Sequence, residues 1–267
     1  MIAAGIDVGS LAAKAAIVDT ASMSVIGSAC LPTGSTPGES GTAALELALK
    51  RADIESGSLC GTVATGYGRD VLPLADWRVT EISCAARGAH LADPRVRTVV
   101  DIGGQDSKVI RVDADGFPMD FALNDRCAAG TGRFLEVMAE ALGTAVAEMG
   151  ELARSAESAA PITRTCTVFA ESEVVSLIAG GAGTAEIAAG LCRATALRIA
   201  QLAWGLGTEP IVMLVGGVAM NEAIAQELGA ALDTQLVVPE DPQIVVATGA
   251  AVIAGERRAL ADGPRTQ

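Results

Sequence analysis

Val99-Val100-Asp101-Ile102-Gly103-Gly104-Gln105-Asp106-Ser107-Lys108 is the stretch on which the reading of this chain turns. It opens as an apolar run, the pattern of a buried strand, and passes through two glycines that permit a tight turn before Lys108. A carboxylate at the end of such a strand, followed at once by glycines, suits a phosphate group and its counter-ion. The same device opens the chain, where residues 2–8 read as a strand ending in Asp7-Val8-Gly9-Ser10. With the two starts set 94 residues apart, Asp7 falls on Asp101, Gly9 on Gly103, Lys14 on Lys108, Val18 on Val112 and Asp19 on Asp113. An internal repeat of this kind predicts two lobes built on one plan. Two ordinary hairpin turns would share part of the pattern, because Asp-x-Gly is common.

Working outward, the pattern predicts strands over 13–19, 24–30 and 59–65, with a helix over 40–51. After the second start at 96–102 it predicts strands over 108–113 and 117–123. The chain then turns helical over 132–142, 168–179 and 184–206. A buried strand at 211–215 runs into Gly216-Gly217, followed by a helix from about Asn221. A short strand at 236–238 and a helix from 243 through 254 close the order. The fold class is α/β with mixed sheets.

Apolar residues make up 50% of the 267 and aromatics only 3%, so the core is expected to consist of Ala, Val, Leu and Ile. The formal net charge of −13 makes nucleic acid and anionic membrane surfaces unexpected partners. No apolar run approaches the roughly 20 residues of a membrane span, and the opening residues lack the basic region of a signal peptide. A cytoplasmic protein is expected. None of the six cysteines forms a CxxC pair, which removes zinc-ribbon and thioredoxin motifs. His90, the one histidine, reads as structural or surface rather than catalytic.

The chain has no Gly-Lys pair, hence no P-loop, and no complete GxGxxG. The candidate nucleotide residues are those of the two turns. Gly9, Ser10, Gly103 and Gly104 can present backbone N–H groups to phosphate oxygens, with Ala12 and Lys14 beside the first turn. Asp7 and Asp101 are the candidate Mg²⁺ carboxylates, and Gln105 or Asp106 the group that orients an attacking water. Gly216, Gly217, Val218 and Asn221 form a third turn suited to the adenosine of ATP or ADP.

This three-part layout resembles the actin/Hsp70/sugar-kinase superfamily. The resemblance sharpens at Asn124-Asp125-Arg126-Cys127-Ala128-Ala129-Gly130-Thr131-Gly132 and at Thr165-Cys166-Thr167-Val168-Phe169-Ala170-Glu171-Ser172-Glu173. With the 99–108 stretch, these are similar to the ATPase activators of 2-hydroxyacyl-CoA dehydratases and the ATPase subunits of benzoyl-CoA reductase. Val63-Ala64-Thr65-Gly66-Tyr67-Gly68-Arg69, Glu81-Ile82-Ser83-Cys84 and Val215-Gly216-Gly217 fit the same family, so the likeness covers nearly the whole chain.

The resemblance implies an actin-like two-lobed fold, with one lobe at 1–93 and the other at 94–267, the last helix able to pack back on the first lobe. It implies a homodimer, or a heterodimer with a similar chain, holding one 4Fe-4S cluster through Cys127 and Cys166 of each subunit. A cubane wants four thiolates, and a twofold axis supplies them from two per chain. It implies ferredoxin or flavodoxin as electron donor and an iron–sulfur dehydratase or reductase as acceptor. ATP binding and hydrolysis would re-angle the helices that follow the two cysteines and make transfer directional. A small-molecule kinase and an actin-like assembly module are the rival readings. The kinase would need a catalytic carboxylate facing a sugar pocket and would have no use for Cys127 and Cys166.

Overall fold

The computed structural model describes residues 1–163 and 166–262. Thr165, which opens the second cysteine stretch, lies outside the described residues, as do 263–267; the sequence reads 262–267 as a frayed end, and of these Asp262 belongs to the last helix. The chain begins with strands β1 (Ile2–Val8), β2 (Ala12–Asp19) and β3 (Ser24–Pro32), helix α1 (Pro37–Ala52), β4 (Leu59–Thr65), β5 (Trp77–Arg78) and α2 (Glu81–Ala92). The second run is β6 (Thr98–Ile102), β7 (Ser107–Val112), β8 (Pro118–Asn124), α3 (Gly132–Leu142), α4 (Met149–Arg154), α5 (Thr167–Ala179) and α6 (Thr184–Leu206). It ends with β9 (Val212–Val215), α7 (Glu222–Ala231), β10 (Leu236–Val237) and α8 (Val245–Asp262).

The two sheets repeat one topology. Their strand orders are β3-β2-β1-β4-β5 and β10-β9-β6-β7-β8, one the mirror listing of the other in chain order. β1 pairs antiparallel with β2 and parallel with β4. β6 pairs antiparallel with β7 and parallel with β9. β6 therefore takes the place of β1, β7 of β2 and β9 of β4. Both first strands are central in their sheets, which is why they read as apolar runs rather than alternating ones.

The chain forms two compact units. One comprises 1–96, 112–119 and the segment from 243; the other comprises 97–111 and 120–242. In the first unit α8 packs on β1, β4 and α2. The aromatic-poor composition permits this packing at backbone distance. A Cβ at Gly88 of α2 would lie 1.9 Å from the Val245 carbonyl oxygen, and one at Gly249 of α8 would lie 1.8 Å from that of Cys84. The core of the second unit is formed by β6, β9 and helices α3 to α7, with Phe134, Met138, Leu191 and Ile199 buried in it.

Four elements differ from the sequence reading. α2 is additional: its Ala-rich stretch shows little apolar contrast, but Ala is the best helix former and the Thr80 hydroxyl caps the helix by accepting the Ser83 N–H at 3.3 Å. α8 begins at Val245 rather than 243 and runs to Asp262, past the expected end at 254. Its last turn is held by Arg258 Nε donating to Asp262 Oδ2 at 3.0 Å, four residues on. β5 and α4 are too short to leave a periodic signal. Among the described residues no helix is long and apolar enough to cross a membrane.

The α2–α8 crossing sets a clear expectation. Gly88→Val forces the two backbones apart and lowers the unfolding free energy by about 3 kcal/mol, the upper part of the overpacking range. Gly57→Val, where a Cβ meets nothing within 4 Å, leaves it nearly unchanged. Urea unfolding followed by circular dichroism separates the two outcomes.

Candidate functional site

In the first unit β1 hands over to β2 through a turn closed by the Gly9 N–H donating to the Ala12 carbonyl at 3.0 Å. Asp7 stands opposite Lys14 across the antiparallel pair, and Lys14 Nζ lies 2.9 Å from Asp7 Oδ2. Asp7 is only 4% exposed, and its other oxygen, Oδ1, accepts no hydrogen bond among the described residues. Gly66, at the end of the parallel neighbour β4, explains how that oxygen is accommodated. With φ at +89°, Gly66 brings its backbone so close that a Cβ would lie 2.6 Å from Asp7 Oδ1. Only glycine fits this conformation and this approach.

The second unit repeats the arrangement. The Gly103 N–H donates to the Asp106 carbonyl at 3.0 Å, and Asp101 stands opposite Lys108. Lys108 Nζ lies 2.7 Å from Asp106 Oδ1 and 3.9 Å from Asp101 Oδ2. Asp101 is 5% exposed. Gly216, at the end of β9, has φ at +88°, and a Cβ there would lie 2.6 Å from Asp101 Oδ1. The repeat read from sequence thus has a further member, Gly66, which the offset of 94 does not reach.

The other sequence candidates fall as follows. The amides of Gly9 and Gly103 close their own turns, so those at the tips, Ser10 and Gly104, are the ones turn closure does not use. Ala12 supplies the carbonyl that accepts from Gly9. Gln105 is exposed at the tip of its turn. Gly217 and Val218 lie in a short 3-10 turn spanning Gly217–Met220. The Asn221 side chain caps α7, accepting the Ile224 N–H at 3.1 Å, and meets the buried Cys192 thiol.

Cys127 is half-buried in a loop with little slack. Asn124 Nδ2 donates to the carbonyls of Cys127 at 2.9 Å and Ala129 at 3.1 Å, and Thr131 Oγ1 donates to that of Ala128 at 2.6 Å. The loop is fastened directly to the Asp101 turn. Ser107 Oγ donates to the Gly130 carbonyl at 2.5 Å, and the N–H groups of Gly132 and Arg133 donate to the carbonyls of Gly103 and Gly104 at 2.9 and 2.8 Å.

Cys166 is exposed at the N-cap of α5, and its carbonyl accepts from Phe169 and Ala170. α3, which follows the Cys127 loop, packs against α5. In the first turn of α5, Val168 and Phe169 are 68% and 61% exposed. The remaining cysteines differ in kind. Burial pushes the Cys84 thiol up to about 12, aided by the Asp7 charge. Burial likewise pushes Cys192 up to about 11. Cys30 is exposed on β3 and Cys60 half-buried on β4, both in the first unit. Among the described residues no three or more His, Cys, Asp or Glu side chains converge to hold a metal ion.

The chain is similar to known proteins over nearly its whole length. The model of the BadF/BadG/BcrA/BcrD ATPase family matches residues 4–254. The activator of lactoyl-CoA dehydratase from Anaerotignum propionicum is 43% identical over 96% of this chain and 98% of its own. The solved activator of the 2-hydroxyisocaproyl-CoA dehydratase from Clostridium difficile, with bound ADPNP, is 36% identical and superposes with a TM-score of 0.92, each chain fully covered. A ROK family glucokinase from Streptomyces griseus, 16% identical with a TM-score of 0.58 over 96% of this chain and 100% of its own, shares the fold alone. The fold is that of the actin/Hsp70/sugar-kinase group.

The thiol environments yield a direct test. In iron-free protein at pH 8, iodoacetamide modifies Cys127 and Cys166 and spares Cys84 and Cys192, as read by peptide mass spectrometry. The two buried thiols also tie stability to pH. They keep their protons in the folded state to about 12 and about 11, whereas unfolded thiols ionise near 9.0. The unfolded state therefore loses protons first, and stability falls above pH 9 by up to about 1.4 kcal/mol per pH unit per thiol. The Cys84→Ala, Cys192→Ala protein loses that part of the slope in urea titrations between pH 8 and 10.5.

Proposed function

This chain belongs to the BadF/BadG/BcrA/BcrD ATPase family, and from that premise we propose that it is an ATP-driven activator delivering single low-potential electrons to a 2-hydroxyacyl-CoA dehydratase. The observation that carries the reading is the fastening of the Cys127 loop to the Asp101 turn, which joins a buried carboxylate and an accessible thiol in one hydrogen-bonded block. A kinase for a small molecule has no use for that thiol.

The residues have separable tasks. Asp7 Oδ1, buried and accepting no hydrogen bond among the described residues, is an acceptor fit for Mg²⁺ or one of its waters, and Asp101 is its counterpart in the second unit. The amides of Ser10 and Gly104 offer donors to phosphate oxygens. Gln105 and Asp106 are the groups that orient an attacking water, and Gly216, Gly217 and Val218 form the adenosine turn. The ADPNP bound to the Clostridium difficile activator supports an ATP site on this fold.

A 4Fe-4S cluster, when bound, supplies a one-electron store at Cys127 and Cys166 of this chain and the same two thiols of a second copy. Cys127 in the loop that leads into α3 and Cys166 at the head of α5, two accessible thiols before helices that pack together, support this ligand set. The exposed Val168 and Phe169 beside Cys166 support the second copy, being apolar surface of the kind an interface covers. Ferredoxin or flavodoxin is the donor. The dehydratases named for three of the relatives support the acceptor class; a benzoyl-CoA-type reductase is the alternative acceptor.

Asp7→Ala or Asp101→Ala lowers Mg-ATPase activity by about a hundredfold or more while iron and acid-labile sulfide stay at wild-type levels, because the thiols of Cys127 and Cys166, not the carboxylates, hold the iron. Full activity in both variants removes the assignment. The function itself is tested in an anaerobic assay with reductant, with and without ATP, on 2-hydroxyacyl-CoA dehydratases and aryl-CoA reductases. Activation of a dehydratase that requires ATP is expected. Equal electron transfer without nucleotide to every acceptor overturns the reading.

A further inference from the structure

We propose that Ser107 is a positioning residue that ties Cys127 to the nucleotide state of the Asp101 turn. The inference rests on the activator reading above and adds the residue through which the two sites are joined.

Ser107 opens β7, opposite Ile102 in the ladder, and is fully buried. A buried strand position of this kind favours a β-branched apolar side chain, and a hydroxyl there is costly unless it is bonded. It is bonded, to the carbonyl of Gly130, three residues beyond Cys127. The two further links, from the N–H groups of Gly132 and Arg133, come from the first turn of α3, whose amides have no acceptor in their own helix. Almost any sequence would supply those amides. The Ser107 link alone depends on a chosen side chain.

The repeat provides an internal comparison. The position equivalent to Ser107 in the first unit is Ala13, equally buried and opposite Val8 as Ser107 is opposite Ile102. The first unit carries no such cysteine loop on its turn, and there the hydroxyl is missing. A hydroxyl at this strand position thus occurs in the copy of the turn that carries a thiol loop, whereas the Asp7 turn is braced from outside the strand pair by Thr33, whose hydroxyl donates to the Gly9 carbonyl.

The mechanical consequence follows from what lies on each side. Towards the nucleotide, Gly103 and Gly104 are at once the turn that meets phosphate and the acceptors for α3. Towards the thiol, Asn124 and Thr131 bind the carbonyls of Cys127, Ala128 and Ala129, so the loop moves as one block. A displacement of the turn is passed to Cys127 instead of being absorbed by a flexible segment. Ser107 holds the middle of that block.

The test separates positioning from catalysis. Ser107→Ala is expected to hydrolyse ATP at the wild-type rate and to retain iron, while ATP-dependent activation of the dehydratase falls about tenfold, within the usual range of site-to-site coupling. Ser107→Thr, which keeps the hydroxyl, restores it. The second readout is amide hydrogen exchange over 127–133 in the anaerobically purified protein, with ADP against a non-hydrolysable ATP analogue. Wild-type protection differs between the two nucleotides, and in Ser107→Ala the difference is lost. Coupling in Ser107→Ala equal to wild type overturns the proposal, as does a loss of ATPase activity equal to the loss of activation. Should Ser107→Ala fail to fold, identical wild-type exchange with both nucleotides is sufficient to overturn it. Wild-type protein without ATPase activity or iron would instead bring down the activator reading, and this inference with it.

Discussion

In each sheet a lysine faces a carboxylate across an antiparallel pair of strands, and that ion pair sets the terms for its surroundings. A carboxylate taken from water without compensation is costly by several kcal/mol. Lys14 and Lys108 supply the compensation from the neighbouring strand, so Asp7 and Asp101 stay buried at the ends of central strands. The compensation is one-sided. At Asp7 the ammonium takes one oxygen and leaves the other against Gly66, where the lack of a side chain is what makes room. A pair complete in itself would be structural; a half-satisfied one has capacity left for a cation.

The two copies of this device have acquired different supports. The Asp7 turn is braced by Thr33, whose hydroxyl donates to the Gly9 carbonyl at 2.7 Å. The Asp101 turn is braced by the loop that carries Cys127. The first support is a loop contact of an ordinary kind. The second connects the turn to a residue with redox chemistry, so two turns of equal geometry have unequal consequences.

Much of this was legible in the sequence because it is local. A strand, a turn and a returning strand fit within a dozen residues, and their recurrence gave the register that the ladders Asp7–Lys14 and Asp101–Lys108 reproduce. Helices α3 and α6 were likewise read over 132–142 and 184–206, the ranges they occupy. The part that escaped is long-range. Gly66 and Gly216 hold equivalent places, but one helix separates β3 from β4 whereas four separate β8 from β9, so no single offset aligns them. α2 escaped because a run of alanines has no apolar rhythm. Asn221 read as a nucleotide residue beside a glycine turn, while its side chain is engaged in capping α7. The bond from Ser107 to Gly130 joins two segments that no local pattern connects.

The place of α8 bears on how the chain is made. The first unit draws its last helix from the far end of the sequence, whereas the second is complete once Pro242 has been added. Domains of a growing chain usually fold in the order of their synthesis. Here the order is inverted: the unit that starts first finishes last. Until α8 emerges from the ribosome, the faces of β1 and α2 that it covers are bare, including the glycine-lined strip at Gly88. That interval is when the nascent protein is most open to chaperones and to wrong partners, and its length is set by the rate of translation across the whole of the second unit.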